Sequence, residues 1–200
     1  MRRLAALLAA AATALAAPGA LAQGGARADA EIAIDRGARG EFSLRDARGR
    51  RVSDADFRAR FLLVFFGYTS CPAVCPTDLA TIGAAIDRLG AAGEAVQPVF
   101  VTLDPERDTA PLLASYAAHF HPRLLALTGT PEEIALAAQA YGVVAVRVAT
   151  AGAADAYTID HTALIYLVGP DGRFRAAFAH GIDARALATA IAGHLEGAAP

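Results

Sequence analysis

The 200-residue sequence contains no Lys and no Trp, and its only Met is Met1. All 18 basic residues are therefore Arg, which excludes mechanisms that need a Schiff-base lysine or the lysine of a phosphate-binding loop. With no Met after residue 1, no thioether of the folded chain can ligate a metal. The formal net charge is −2, so the chain lacks the positive field that attracts nucleic acid or an anionic membrane surface.

Several common catalytic motifs are missing as well. The sequence has no G-x-x-x-x-G-K-[ST], no G-x-G-x-x-G after an apolar run and no G-x-S-x-G, so nucleotide binding through these loops and serine-hydrolase chemistry are not predicted. Cysteine occurs only as Cys71 and Cys75. These absences leave cysteine and histidine as the residues best able to carry chemistry.

The amino terminus has the pattern of an export signal. Two arginines precede an apolar stretch at residues 4–17, and an A-x-A cleavage site ends at Ala22. We predict a signal peptide over residues 1–22 and export to the periplasm, an oxidising compartment. The alternative is a leader retained as a membrane anchor. Residues 23–40 are rich in Gly, Ala, Arg and Asp without periodicity, which predicts a flexible tether.

Apolar runs of strand length alternate with helical patterns over residues 41–196, which predicts a single α/β domain. The run at residues 61–66 is continuously apolar, as in a strand covered on both faces. We predict a mixed central sheet flanked by helices, with an amino-terminal hairpin over residues 42–52. The further predicted strands are 99–103, 124–127, 143–148, 162–168 and 174–178, and the predicted helices begin after Pro76, at Asp108 or Thr109, after the capping box of Thr130, and at Asp183.

The two cysteines lie in the loop between the strand at residues 61–66 and the next helix. Pro76 suits the first turn of a helix, so we expect Cys75 at the helix entrance, where the partial positive charge stabilises a thiolate. The spacing is one residue longer than the C-x-x-C of thiol oxidoreductases and lets both sulfurs face one ion. The alternative is an inert disulfide that closes a tight loop, with a small stabilising value.

His161 is the candidate for a third ligand, because it lies where a loop enters the predicted strand at residues 162–168. Two thiolates and an imidazole suit copper or zinc. Zinc usually completes four ligands, so a set of three favours copper. The residues alone leave open a second interpretation, in which His161 is a strand-edge histidine satisfied by a hydrogen bond.

Three sequence blocks occur in the order found in one known family. They are FGYTSCPAVCP at residues 66–76, VTLDPERDT at 101–109, and DHT at 160–162 followed by YLVGPDG at 166–172. The chain resembles the Sco (SenC/PrrC) family of copper proteins over residues 41–194. This resemblance implies a thioredoxin-like fold and copper, as Cu(I) or Cu(II), bound by Cys71, Cys75 and His161. Family members often carry His at the position of Ser70 and Asp at that of Ala73, neither an expected ligand.

The same resemblance implies a copper metallochaperone, not an enzyme, that supplies the dinuclear copper centre of cytochrome c oxidase. The expected partner is the apo copper-site subunit, with other periplasmic copper chaperones or thiol reductases as further partners and no nucleic acid. The main alternative is a thiol-disulfide reductase that uses Cys71 and Cys75 to keep the oxidase cysteines reduced. A redox or copper sensor is another alternative. The block at residues 104–109 is expected to act only as a turn that starts the next helix.

Overall fold

A computed structural model describes residues 31–151 and 156–197 of the chain. The predicted signal peptide and the tether residues 23–30 lie outside these ranges. Within them the chain forms an eight-stranded sheet, a separate two-stranded ribbon and four α-helices. The strands are β1 Glu31–Ile32, β2 Ser43–Asp46, β3 Arg51–Ser53, β4 Phe61–Gly67, β5 Val96–Thr102, β6 Leu125–Thr128, β7 Ala145–Ala149, β8 Tyr157–His161, β9 Leu164–Val168 and β10 Phe174–Ala179. The helices are α1 Val74–Leu89, α2 Ala110–Ala118, α3 Pro131–Ala140 and α4 Ala184–Glu196, and 3₁₀ turns cover Asp54–Phe57 and Gly90–Ala95.

The main sheet is mixed, as predicted. Its strand order is β1-β10-β9-β4-β5-β6-β2-β3. The central strands β4, β5 and β6 run parallel, and every other pairing in this sheet is antiparallel. All seven residues of β4 are buried, which confirms the interpretation of the continuous apolar run.

Helices cover both faces of the sheet. Successive strand residues point to opposite faces, and in β4 the ring of Phe65 stacks with Phe100, which contacts Tyr116 of α2. The neighbouring ring of Phe66 lies 5.1 Å from that of Tyr141, immediately after α3. The flanked sheet therefore follows the prediction, and α1 packs against α4.

Local signals predicted the amino-terminal hairpin and two of the helix starts correctly. Strands β2 and β3 pair as a hairpin that extends the sheet beyond β6. The side chain of Thr130 accepts the backbone N–H of Glu133 in a capping box, and the carboxylate of Asp183 caps α4. For α2, Thr109 is the N-cap, one of the two predicted starting residues, but it makes no side-chain capping bond. The other, Asp108, caps no helix, because its carboxylate bonds Thr69 and Thr102.

The strands around His161 also differ from the prediction. The apolar pattern at residues 143–148 does not join the main sheet, because β7 pairs with β8 as a separate antiparallel ribbon and every residue of β7 is exposed. The sheet strand β9 begins only at Leu164. Alternating hydrophobicity indicates a strand but not its pairing partner, which depends on distant residues. His161 is thus the last residue of the ribbon.

Part of the predicted tether belongs to the sheet. Strand β1 pairs with β10 along the sheet edge, with Glu31 opposite Phe178, and Arg39 forms a further bridge to Arg173. A free strand edge offers unpaired backbone N–H and C=O groups to any extended segment, whatever its side chains. Residues 31–40 therefore lie on the fold instead of forming a tether. Over the part of the chain that the structure describes, no helix is long and apolar enough to cross a bilayer.

Candidate metal centre

The cysteine loop leads from β4 into α1. Cys71 is partly exposed and its N–H donates to the carbonyl oxygen of Tyr68 at 3.2 Å. Cys75 lies in the first turn of α1 and is 0% exposed. Both cysteines are free thiols, and the Cys75 N–H donates to Cys71 Sγ at 3.3 Å. The loop thus turns both side chains toward the same point.

Cys71 Sγ takes the place of a conventional cap on α1. The N-cap residue Ala73 has no side chain that could accept a hydrogen bond, and Pro76 has no N–H to donate. The orphan N–H of Cys75 is instead satisfied by Cys71 Sγ. Ala73 therefore costs α1 no capping bond, because the N–H that a capping side chain at residue 73 would accept is already bonded to Cys71 Sγ.

His161 presents one ring nitrogen to the cysteines. Its Nδ1 lies 3.1 Å from the carbonyl oxygen of Thr162, which can only accept, so Nδ1 carries the proton. Nε2 is left with its lone pair and lies 3.5 Å from Cys75 Sγ. The ring is held edge-on between Phe65 and Tyr68, at centroid distances of 6.3 and 6.1 Å. The hydrogen bond to Thr162 thus fixes both the tautomer and the direction of the free nitrogen.

The three predicted ligands come together. One ligand atom from each of Cys71, Cys75 and His161 lies within 4.8 Å of the other two, and in residues 31–151 and 156–197 no other His, Cys, Asp or Glu residues form a group of three or more that could hold a metal. Bonds of about 2.0–2.3 Å place two ligands of one ion about 3.5–4.5 Å apart. The metal-free arrangement therefore needs only a small contraction to hold one soft ion.

Burial, not the helix end, dominates the ionisation of Cys75. Removal from water and the hydrogen bond with Cys71 raise the pKa of the Cys75 thiol far above its ordinary value. The expectation of a thiolate stabilised at the helix entrance is therefore wrong for Cys75. The thiol proton can be shared with Nε2 of His161, and a metal must displace it on binding.

Two further residues, which precede the cysteines in the sequence, support the metal centre. A Cβ placed on Gly67 would lie 2.8 Å from Cys75 Sγ, so only glycine leaves room for the sulfur. The hydroxyl of Tyr68 accepts the backbone N–H of Ile159 at 3.3 Å and links the cysteine loop to β8. A glycine that ends a buried strand is the sequence signal for Gly67, and an aromatic residue three positions before Cys71 is the signal for Tyr68.

The other histidines have different roles. His121 is 7% exposed, and its Nδ1 accepts the backbone N–H of Arg123 at 3.1 Å, so it is a buried, hydrogen-bonded histidine. Nδ1 of His119 faces the carbonyl oxygen of Ser115. His180 lies 2.8 Å from the buried carboxylate of Asp78. The sequence neighbours His119 and His121 thus form no metal site.

The metal centre opens to solvent through a groove of about 350 Å³. The cysteine loop, from Tyr68 to Val74, forms one wall, and β8 with Ala163 forms the other. A ligand group of a second protein can reach the sulfur of Cys71 from this side. The geometry suits an ion that is bound and then passed on.

Comparison with known proteins places this arrangement in a family. Residues 33–196 match a family model described as SCO1/SenC. The chain is 40% identical over 161 residues to the bovine (Bos taurus) mitochondrial protein SCO2 homolog, and 38% identical over 161 residues to the human (Homo sapiens) mitochondrial protein SCO1 homolog. Each alignment covers 78% of this chain, but only 59% and 52% of those proteins, so the chain spans little more than half of their length.

Solved structures show the same fold. ScoI of Arabidopsis thaliana with copper bound is 34% identical, with a TM-score of 0.73 over 80% of this chain and 98% of that one. ScoI of Bradyrhizobium japonicum with copper bound is 39% identical, with a TM-score of 0.70 over the same shares. These similarities confirm the predicted thioredoxin-like fold.

Proposed function

Because the chain belongs to the SCO1/SenC family, we propose that it is a copper metallochaperone that binds one copper ion through Cys71, Cys75 and His161. The observation that carries this proposal is the convergence of two sulfurs and one imidazole nitrogen within 4.8 Å. This donor set is soft to borderline and suits copper. Two relatives of the same fold are described with copper bound.

The copper is cargo, and the chain's residues support its transfer in different ways. Cys75 is fully buried and fixed in α1, whereas Cys71 is partly exposed at the groove. An acceptor's thiols can therefore enter beside Cys71 before the buried sulfur is released. We propose the apo copper-site subunit of cytochrome c oxidase as the acceptor, on the family resemblance. Other periplasmic copper chaperones or thiol reductases would exchange copper or electrons with the same groove.

A thiol-disulfide reductase is the second candidate. It is favoured by the exposure of Cys71 at the groove, where a substrate disulfide can reach its sulfur, with the N–H of Cys75 3.3 Å behind that sulfur. In this reaction the Cys71 thiolate would attack a substrate disulfide and form a mixed disulfide. Cys75 would then displace the second substrate thiol, so that the cysteine pair loses two electrons and the substrate disulfide gains them. His161 would tune the reactivity of the pair, because its Nε2, 3.5 Å from Cys75 Sγ, can take the proton that Cys75 must lose before it attacks.

We also propose export to the periplasm, with the domain released from the leader at Ala22 or tethered by it to the inner membrane. The support is the charged and apolar pattern of residues 1–22. The curated relatives are named as mitochondrial proteins. Protease protection of the chain in intact cells, compared with cells whose outer membrane is opened, tests this proposal.

Anaerobic copper titration of the reduced protein tests the function. We expect one copper per chain, loss of binding in Cys71→Ser and Cys75→Ser, and binding weakened about tenfold or more in His161→Ala. His119→Ala is the matched control, because His119 is an exposed histidine bonded to Ser115, and it should bind copper like the wild type. A wild type that binds copper no tighter than micromolar but rapidly reduces a disulfide substrate would favour the reductase and contradict the chaperone.

A further inference from the structure

The loop after β5 contacts both halves of the metal centre. Asp104 and Asp108, in the connection between β5 and α2, are 0% and 1% exposed. The backbone N–H groups of Arg107 and Asp108 both donate to the carbonyl oxygen of Asp104, at 3.2 and 2.9 Å. We call residues 104–108 the DPERD turn. The sequence predicted only a structural turn here. In the structure, the side chains of this turn contact the two segments that carry the metal ligands, the cysteine loop and β8.

Asp108 holds the cysteine loop. Its carboxylate accepts the backbone N–H of Thr69 at 3.0 Å and the hydroxyl of Thr69 at 2.5 Å. The hydroxyl of Thr102, at the end of β5, also donates to it at 2.6 Å. Thr69 precedes Cys71 by two residues, so this buried carboxylate ties the loop to the sheet beside the first sulfur.

Asp104 and Arg107 hold the histidine ribbon. The hydroxyl of Tyr157 donates to Asp104 Oδ1 at 2.7 Å, and Arg107 donates both to the other Asp104 oxygen and, at 3.0 Å, to the carbonyl oxygen of Tyr157. The Arg107 guanidinium also lies 3.7 Å from the centroid of the Tyr157 ring. Tyr157 and His161 are the first and last residues of β8, so these contacts anchor the strand that carries the imidazole.

We propose that the DPERD turn is the positioning element of the metal centre and sets the separation between the thiols and the imidazole. The ribbon of β7 and β8 makes no ladder with the main sheet in the described residues. On one side His161 is held by the chain that runs into β9 at Leu164, and on the other side β8 is held by side-chain contacts. Asp108 acts through the cysteine loop, and Asp104 acts through Tyr157 and β8. The inference rests on the proposed copper function. These aspartates are positioning residues and not ligands.

Copper affinities of Asp104→Asn and Asp108→Asn test the proposal. Residues that orient metal ligands typically change affinity by about 10- to 100-fold when mutated, and we expect at least tenfold weakening from each variant. Tyr157→Phe removes a single hydroxyl and should act in the same direction. The matched control is Asp46→Asn, which alters a buried aspartate in the β2–β3 hairpin that accepts two backbone N–H groups. It should lower stability but leave copper affinity unchanged.

A double-mutant cycle separates positioning from general destabilisation. In a His161→Ala background, Asp104→Asn should weaken copper binding less than twofold, because the ligand that it positions is gone. Asp108→Asn should still weaken it about tenfold, since both sulfurs remain. In the cupric form, the thiolate-to-copper absorption of Asp104→Asn should shift toward that of His161→Ala. An Asp104→Asn effect of equal size with and without His161, or no effect on the wild type, would overturn the proposal.

A readout without copper keeps this test independent of the proposed function. In the metal-free protein, nuclear Overhauser contacts between the His161 ring and the Phe65 and Tyr68 rings report the place of the imidazole. Asp104→Asn should weaken these contacts, and Asp46→Asn should preserve them. A wild type that binds no copper would reject the chaperone function. Separately, ring contacts of His161 that are unchanged in Asp104→Asn would reject the positioning role of the DPERD turn.

Discussion

Gly67→Ala perturbs the metal centre without replacing any of the three ligand residues. The new Cβ would lie 2.8 Å from Cys75 Sγ, 3.1 Å from the Phe100 ring and 3.2 Å from the Phe65 ring. Both rings are 0% exposed and close-packed, so they can yield little. Ordinary contact begins at 3.4 Å, so the sulfur must move by about 0.6 Å or more.

That displacement exceeds what a metal bond accepts, because ligand distances in metal sites vary by about 0.2 Å. We therefore expect copper affinity to fall at least tenfold, the range seen when metal ligands lose their orientation. Overpacking of a core costs about 1–3 kcal/mol, which lowers the melting temperature by about 2–4 °C per kcal/mol for a domain of this size.

The assay is Cu(I) competition against a chromophoric chelator, with thermal unfolding of the same samples. Gly93→Ala is the matched control, since its Cβ would lie equally close, 2.8 Å, to the carbonyl oxygen of Ile86. It should lose comparable stability and retain wild-type affinity. Unchanged copper affinity in Gly67→Ala would refute the view that close packing beneath Cys75 fixes its sulfur.

Three further outcomes follow from the same contacts. Burial raises the pKa of Cys75, so copper must displace its proton, and this one proton should make copper affinity rise about tenfold per pH unit through the neutral range. Proton release during copper loading of a weakly buffered sample checks this. A copper affinity independent of pH would mean that Cys75 is already a thiolate. Thr130→Ala removes the capping box of α3 and should cost about 0.5–2 kcal/mol in denaturant unfolding; Thr189→Ala, which alters an exposed threonine within α4, is the control. Ala73→Asp should raise the free energy of unfolding by less than a capping residue usually does, under about 0.5 kcal/mol, because Cys71 Sγ already accepts the Cys75 N–H. An increase above about 1 kcal/mol would contradict the role of Cys71 Sγ at the helix start.

Elements with a strong local pattern were predictable from the sequence. The apolar run of β4, the capping box of Thr130 and the cap of Asp183 each depend on residues within a few positions of one another. Cys71 and Cys75 were also predictable as candidates, because reactive residues are scarce and the two cysteines are closely spaced, but the residues alone left His161 open. The family resemblance implied His161 as the third ligand and the oxidase as the destination, and a set of three ligands favoured copper over zinc.

Properties that depend on distant residues were not predictable. The imidazole of His161 meets a sulfur 86 positions earlier, and Asp108 bonds Thr69 across 39 positions. Nothing in the DPERD turn distinguishes a helix cap from a support for the cysteine loop, because an aspartate beside a helix start fits both. Likewise, the alternation in β7 predicted a strand, and only the folded chain could pair it with β8.

The sequence by itself determined which side chains were available to a soft metal and which segments would form strands and helices, because residue chemistry and periodicity are local. The tertiary structure decided the state and the placement of those atoms. It buried Cys75 deeply enough to keep its proton, against the effect of the helix end, since desolvation outweighs a partial charge in a dry interior. It also placed His161 on a ribbon outside the sheet, where long-range side-chain contacts replace the backbone ladder.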